Sequence, residues 1–233
     1  MGYTLQLSIA ALMIVVTLIS VLYLNGYIFP PKKDYGNEIL NALYSGSEGR
    51  VKILDQTFVI KKFNLTSSSL FSYSDETEIE ITALAYYNTT VKVMGKHSFE
   101  GGSVFPWDNI SPYDLFFRWG DFAKSEHDEM LNEMQYYGEM RTATVIIHQN
   151  ETETYQKYSS FESNNHIITM DDNVRSMIDR IKVKDIVHFE GYIAKVTSNS
   201  NGRQSVWGGK VDITDSGKDF FSCEVFYVTN VTL

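Results

Sequence analysis

Cysteine and proline are scarce in this 233-residue chain, which has one cysteine, Cys223, and only four prolines. One cysteine can form neither an intrachain disulfide nor a thiolate metal site, so disulfides do not contribute to stability. No stretch is polar and featureless enough to indicate disorder. With 43% hydrophobic residues, 15 tyrosines and 14 phenylalanines, the composition indicates a folded, strand-rich protein.

Basic residues are also few, with 20 lysines and arginines against 29 acidic residues and a net charge of −9. The largest basic clusters are the pairs Lys32-Lys33 and Lys61-Lys62. A nucleic-acid-binding protein needs a basic face to neutralise phosphates. We therefore expect no nucleic-acid partner, and the acidity favours solubility.

Motifs for metals, cofactors and phosphates are missing too. The five histidines show no H-E-x-x-H pattern and no pair at i, i+4. The glycine pairs Gly101-Gly102 and Gly208-Gly209 lack phosphate-binding spacing and are typical of turns. The sequence accordingly predicts no metal and no cofactor, and no motif names a reaction.

One long hydrophobic run is present, the 18 uncharged residues from Leu7 to Leu24. A spanning helix needs about 20 apolar residues, and Pro30-Pro31 would end it. A cleaved signal peptide is less favoured, because no lysine or arginine precedes the run and no cleavage motif follows it. We predict a transmembrane anchor over residues 1–30, a juxtamembrane linker or helix over 31–48, and one globular domain over 49–233.

The side of the membrane is less well determined by the sequence. Lys32 and Lys33 follow the anchor and place the domain in the cytoplasm. N-x-[ST] sequons suit an exported domain instead, and they occur at Asn64, Asn88, Asn109, Asn150 and Asn230. Either way, the lipid bilayer is an expected partner of the chain.

Hydrophobic periodicity predicts the elements of the domain. Glu78–Tyr86 alternates as a half-buried strand does, with a hairpin partner at Thr90–Met94. A helix is predicted from Ser125 to Gly138, because Asp128 completes a capping-box-like pair, whereas polar residues 154–165 indicate a loop. A second helix, with Thr169 or Asp171 as its cap, is predicted by the spacing of Val174, Met177, Ile178 and Ile181. Further strands are expected over 141–148, 166–170, 186–196, 205–213 and 222–231.

These elements predict an α+β fold of mainly antiparallel strands with two or three short helices, in addition to the N-terminal transmembrane helix. The order strand–helix–strand–strand–strand in the last third suits either a small antiparallel sheet or a partly open, OB-like barrel. Gly191 interrupts the long strand from Ile186 and indicates a bulge or a close backbone approach.

Four segments of the C-terminal half carry a family resemblance. They are S-P-Y-D-L-F-F-R-W-G (111–120), S-N-N-H-I-I (163–168), K-D-I-V-H-F-E-G-Y-I (184–193) and W-x7-D-S-G with C-E (207–224). With them the chain resembles an uncharacterised bacterial family of small membrane-anchored or exported proteins. The resemblance implies an exported domain on an inner-membrane anchor, against the lysine signal. The chain departs from the family at Gly209, Lys210 and Ile213, where serines and an arginine are usual, so a family active site at those positions would be lost here.

Candidate chemistry centres on His166 and Cys223, a pair that could form a thiolate nucleophile with Asp114 or Asp215 orienting the imidazole. A buried structural cysteine within a strand is the favoured interpretation. Tryptophans such as Trp119 can stack on a ligand or fill the core. The candidate binding residues are Asp114, Trp119, His166, Trp207, Asp215 and Cys223.

Two functions remain open on these grounds. An anchor and a compact domain without a catalytic set favour a membrane-anchored accessory protein that binds another membrane or envelope protein. The alternative is a small-ligand-binding domain or a hydrolase of an unrecognised type. That alternative requires a pocket that brings together Asp114, Trp119, His166 and Trp207.

Overall fold

A computed structural model describes Leu43 and residues 51–65, 77–99, 110–137, 141–200, 202–211 and 223–233. All of them belong to one compact unit, residues 37–233. The predicted membrane anchor (1–30) and nearly all of the predicted linker (31–48) lie outside the described residues. Within those residues no helix has the length and apolar character needed to cross a membrane.

The described residues form nine strands and two short α-helices, α1 (Thr152–Tyr158) and α2 (Asp172–Arg180). Short 3-10 turns cover residues 120–123, 125–130, 149–151 and 159–161. The predicted α+β fold with mainly antiparallel strands is thereby confirmed. The strands are β1 (Val51–Leu65), β2 (Thr77–Ser98), β3 (Tyr113–Arg118), β4 (Leu131–Tyr137), β5 (Thr142–Ile147), β6 (Glu162–Ile168), β7 (Ile186–Ser200), β8 (Arg203–Gly208) and β9 (Glu224–Thr232).

Seven strands form one sheet in the order β1-β2-β3-β6-β9-β7-β8, and a further pairing joins β2 to β7. The pairings of β2, β3, β6, β9 and β7 therefore close into a ring. Only β6 and β9 run parallel in this sheet as described. Strands β4 and β5 form a separate antiparallel hairpin.

The main hydrophobic core fills the interior of the ring. Every strand of the ring contributes buried side chains to it, among them Tyr87, Phe117, Ile167, Phe189 and Phe226. Helix α2 adds Val174 and Ile178, two members of the predicted apolar stripe. The Asp171 carboxylate accepts hydrogen bonds from the backbone N–H groups of residues 173 and 174, which confirms the predicted cap.

Strand β2 corrects the predicted hairpin. Instead of turning near Asn88, the strand runs without a break from Thr77 to Ser98. Its neighbour β7 pairs with it from Glu78 to Lys92, so Asn88 lies opposite Glu190 within the ladder. The continuous pairing satisfies the backbone groups that a turn would have exposed.

Two further predictions are wrong. The predicted helix from Ser125 is a 3-10 turn to Met130, followed by strand β4, because β-branched β5 pairs with that segment. The predicted polar loop 154–165 contains most of helix α1 and the start of β6. The polar residues of β6 are all buried.

Candidate functional site

Strand β3 separates the core from a second, polar face. Tyr113, Leu115, Phe117 and the following Trp119 pack into the ring interior. The alternate residues of the strand point to the other face of the sheet. Trp119 therefore packs in the core, which is one of the two roles that the sequence left open for it.

Asp114 is the centre of the polar face. In the strand register it lies opposite His97 of β2 and His166 of β6. Its Oδ1 atom lies 2.7 Å from Nδ1 of His166 and accepts a hydrogen bond from Nη2 of Arg141, also at 2.7 Å. The Asp114 carboxylate thus links β3 to His166 of β6 and to Arg141, which lies just before β5.

Arg141 and Trp207 both lie close to the Asp114–His166 pair. Arg141 has a positive φ of 50°, and its Nη2 also donates to the carbonyl oxygen of Ser111 at 2.7 Å. The guanidinium carbon lies 4.1 Å from the Phe99 ring centre and 5.2 Å from that of Trp207. The Trp207 ring lies 5.0 Å from the imidazole of His166. We call Asp114, His166, Arg141 and Trp207 the carboxylate cluster.

Three members of the carboxylate cluster are almost entirely removed from water, with Asp114 0%, His166 3% and Arg141 5% exposed, whereas Trp207 is half-buried. One carboxylate and one guanidinium balance each other when the imidazole is neutral, which limits the cost of burial. Among the described residues, Oδ2 of Asp114 and the hydroxyl of Tyr136 have no hydrogen-bond partner. Burial raises the pKa of Tyr136 above its usual value, and the charge of Asp114 raises that pKa further.

Chemically, an Asp–His pair can orient an imidazole so that its other nitrogen acts as a base. A substrate would have to reach that ring, and His166 is only 3% exposed. The arrangement is better suited to fastening the β4–β5 hairpin onto the sheet, because Arg141 enters the cluster from the start of β5.

Of the other two candidates, only Cys223 belongs to the described residues. Cys223 precedes β9, half-buried, and its Sγ receives a hydrogen bond from Nδ2 of Asn164 at 3.5 Å. Asp215 lies outside the described residues. No group of histidine, cysteine and acidic side chains in the described part of the chain is placed to hold a metal ion.

A second buried ion pair on the same face had not been predicted. Nε of Arg118 donates to Glu162 Oε2 at 3.0 Å, and the Tyr155 hydroxyl hydrogen-bonds to the other carboxylate oxygen. The Arg118 guanidinium lies 3.8 Å from the Phe122 ring centre. The spacing of Asp114 and Arg118, and of Glu162 and His166, was the available signal, because alternate residues of a strand share a face.

Comparisons with known proteins found no relative of this chain. No family model, no curated protein and no solved structure matches the chain. The candidate site is therefore defined by the geometry of the described residues, in which three of the sequence-predicted positions, Asp114, His166 and Trp207, meet.

Proposed function

We propose that this chain is a membrane-anchored accessory protein whose strand-rich domain binds another membrane or envelope protein along strand β1. The uncharged run from Leu7 to Leu24 supports the anchor, and the family resemblance supports an extracytoplasmic domain. The closed ring, with α2 between β6 and β7, supports an OB-like barrel as the scaffold. A net charge of −9 argues against nucleic acid as the partner of that scaffold.

The exposure of β1 is the observation that carries this proposal. The strand lies at one end of the described sheet order, so one of its edges lacks a neighbouring strand there. Three large apolar side chains on it are exposed to solvent: Ile53 at 70%, Val59 at 51% and Phe58 at 45%. Exposed apolar edge strands promote association, and pairing with a strand of a partner protein satisfies both the backbone and the side chains.

The two halves of β1 differ in how open they are. Toward its C-terminal end, Lys61 and Lys62 are charged, and Lys62 forms a 3.0 Å ion pair with Glu78. Lysines on an edge strand discourage further pairing. The exposed large apolar side chains all lie before this lysine pair, in a segment whose single lysine is Lys52. We therefore place the binding surface over residues 51–60, which we call the β1 surface.

The buried carboxylate cluster does not support the alternative, a hydrolase or a small-ligand-binding domain, to the same degree. A hydrolase needs a base that a substrate can touch. Asp114 and His166 meet each other but not solvent, and Trp119, the fourth residue of that hypothesis, lies in the core.

Co-purification from native membranes in mild detergent tests the proposal. The full-length chain should retain one stoichiometric partner, identified by mass spectrometry. A variant carrying Ile53→Asp and Val59→Asp should lose that partner while keeping its thermal unfolding temperature, since both side chains are exposed. Val206→Asp on β8 is the matched control, because Val206 is also exposed (57%) on a strand at the other end of the sheet.

Two outcomes would contradict the proposal. A partner lost equally in the double variant and in Val206→Asp would show that added charge, not the β1 surface, is responsible. A chain that always purifies alone would leave no role for the β1 surface in binding a partner.

A further inference from the structure

A groove of about 330 Å³ lies beside the β1 surface. One wall is the segment of β1 where its ladder with β2 is interrupted, between Ile53 and Phe58. Tyr86 of β2 and Tyr192 of β7, which are register partners, line the groove as well. The groove is lined by Lys52, Ile53, Leu54, Asp55, Phe58, Tyr86 and Tyr192.

Three aromatic rings form one side of this groove. The Tyr192 ring lies 5.4 Å from that of Phe58, at 84°, and 5.8 Å from that of Tyr86, at 68°. Rings in such edge-to-face contacts hold one another in place. Rings that meet at steep angles also present their faces in different directions, an arrangement typical of sites that surround a cation.

Carboxylates adjoin the rings. Asp55 lines the groove, and Glu190 accepts a hydrogen bond from the Tyr86 hydroxyl at 3.1 Å. Glu190 is itself positioned by Nδ2 of Asn230 at 3.3 Å and by Nε2 of His188 at 3.5 Å. The half-exposed carboxylate of Glu190 thereby orients the Tyr86 ring, and it adds negative electrostatic potential to the aromatic surface.

From this arrangement we infer that the groove binds the basic side chain, an arginine or a lysine, of the partner segment that docks on the β1 surface. The inference rests on the proposed function, since it names the chemistry of that partner. Aromatic faces and nearby carboxylates both attract a cation, and the chain as a whole carries a charge of −9. Lys52 is the one lining residue that opposes such a ligand.

A pair of matched peptides tests the inference on the purified full-length chain. The probe is a capped pentapeptide of alternating threonine and valine with a central arginine, and its control carries citrulline, a neutral isostere of arginine, at the centre. Titration calorimetry should show the arginine peptide binding roughly tenfold more tightly than the citrulline peptide, and this ratio should fall at high salt.

Variants of the lining residues should change the arginine-to-citrulline affinity ratio in opposite directions. Asp55→Asn and Tyr192→Leu should bring the arginine-to-citrulline affinity ratio close to one. Lys52→Gln should raise the ratio, because it removes the opposing charge. Val206→Asp should leave it unchanged. Asp55 and Lys52 are exposed, so their variants remain informative even if Tyr192→Leu lowers stability.

The outcomes separate this inference from the proposed function. Equal binding of the two peptides, or binding of neither, overturns the basic side chain as the occupant. A lower ratio with Lys52→Gln also overturns it. Dependence of the native partner on the β1 surface is measured separately by co-purification, so it can hold when the peptide test fails.

Discussion

At the scale of single residues, Asp114 shows how one side chain can organise a buried polar region. Its Oδ1 atom contacts both Arg141 and His166 at 2.7 Å. Removing charges from water is costly, and the cost is offset only while each charge keeps its partner. The guanidinium of Arg141 therefore depends on Asp114 for its place in the protein interior.

Replacement of Asp114 tests this dependence. Asp114→Asn should lower the free energy of unfolding by about 3–5 kcal/mol, because it leaves a buried guanidinium without its counter-charge. Urea denaturation followed by circular dichroism measures the change. The control is Asp121→Asn, which removes an exposed ion pair to Lys124 and should have no measurable effect. Equal loss in both variants would contradict a special role for Asp114.

Tyr136 provides a test that depends on pH. Burial, and then the charge of Asp114, raises the pKa of its hydroxyl above the usual value of 10.0. The folded state therefore keeps a proton that the unfolded state loses above pH 10, so this contribution to stability is present below that pH and declines as pH rises above it.

The expected result is a difference between two pH profiles. Above pH 10 the unfolding free energy of the natural chain should fall more steeply than that of Tyr136→Phe, by up to about 1.4 kcal/mol per pH unit. Denaturant unfolding between pH 8 and pH 11 gives both profiles. Parallel profiles would show that the hydroxyl titrates normally in the folded protein.

At the scale of elements, the approach of β7 to β9 depends on a glycine. A Cβ atom at Gly191 would lie 2.0 Å from the backbone oxygen of Tyr227 and 3.0 Å from the Phe226 ring. The register of the two strands shifts between Glu190 and Gly191. The predicted close approach at this glycine is thus confirmed, and it has a physical reason, since only a residue without Cβ fits there.

Gly191→Ala should destabilise the protein strongly, because a backbone atom cannot move aside as a side chain can. We expect a loss of roughly 3 kcal/mol or more, in the range of severe steric changes. Gly202→Ala is the comparison, because a Cβ atom there would have no described atom within 4 Å and only the φ of +72° is unfavourable. That variant should lose about 1–2 kcal/mol, and a similar loss in both would contradict the clash.

Elements with one clear period were predictable from the sequence, whereas elements with mixed signals were not. Helix α2 follows from an apolar spacing that only a helix explains. Its cap, Asp171, was one of the two capping residues that the sequence offered. Residues 131–137 combine helix-favouring glutamate and methionine with strand pairing to β5. Their structure depends on a partner strand, and local propensity does not contain that information.

At the scale of the whole molecule, the ring of strands and the separate β4–β5 hairpin should differ in their free energy of opening. Strands β2, β7 and β9 share the main core, so their amides should exchange only when the protein unfolds globally. Strands β4 and β5 pair with each other alone in the described sheets. Their amides should exchange through local opening, at a lower free energy.

Hydrogen exchange followed by mass spectrometry measures this difference. In the natural chain, peptides from β4 and β5 should exchange faster than peptides from β7. Asp114→Asn should accelerate exchange in the hairpin more than in the ring, because it removes the Arg141 attachment. Equal protection of hairpin and ring, or equal acceleration of both, would show that the two form one cooperative unit.

The sequence predicted only part of the candidate site, because some of its residues are recognisable by type and others only by their contacts. Asp114, His166 and Trp207 are polar or aromatic residues whose types indicate binding or chemistry, so composition and motif spacing singled them out. Tyr136 was missed because it lies in the segment that was predicted as a helix. Arg141 was missed although it adjoins a correctly predicted strand, because nothing in its local sequence distinguishes it. Their roles come from contacts with Asp114 across the fold.

By itself, the sequence determined the acidic charge, the independence from disulfides, the α2 helix and the alternating strands. Each of these follows from composition or from neighbours along the chain. Tertiary structure alone decided the closure of the ring and the burial of Asp114 with partners 27 and 52 residues away. Those partners are brought together by strand pairing, and the free energy of a buried charge depends on which groups surround it in space.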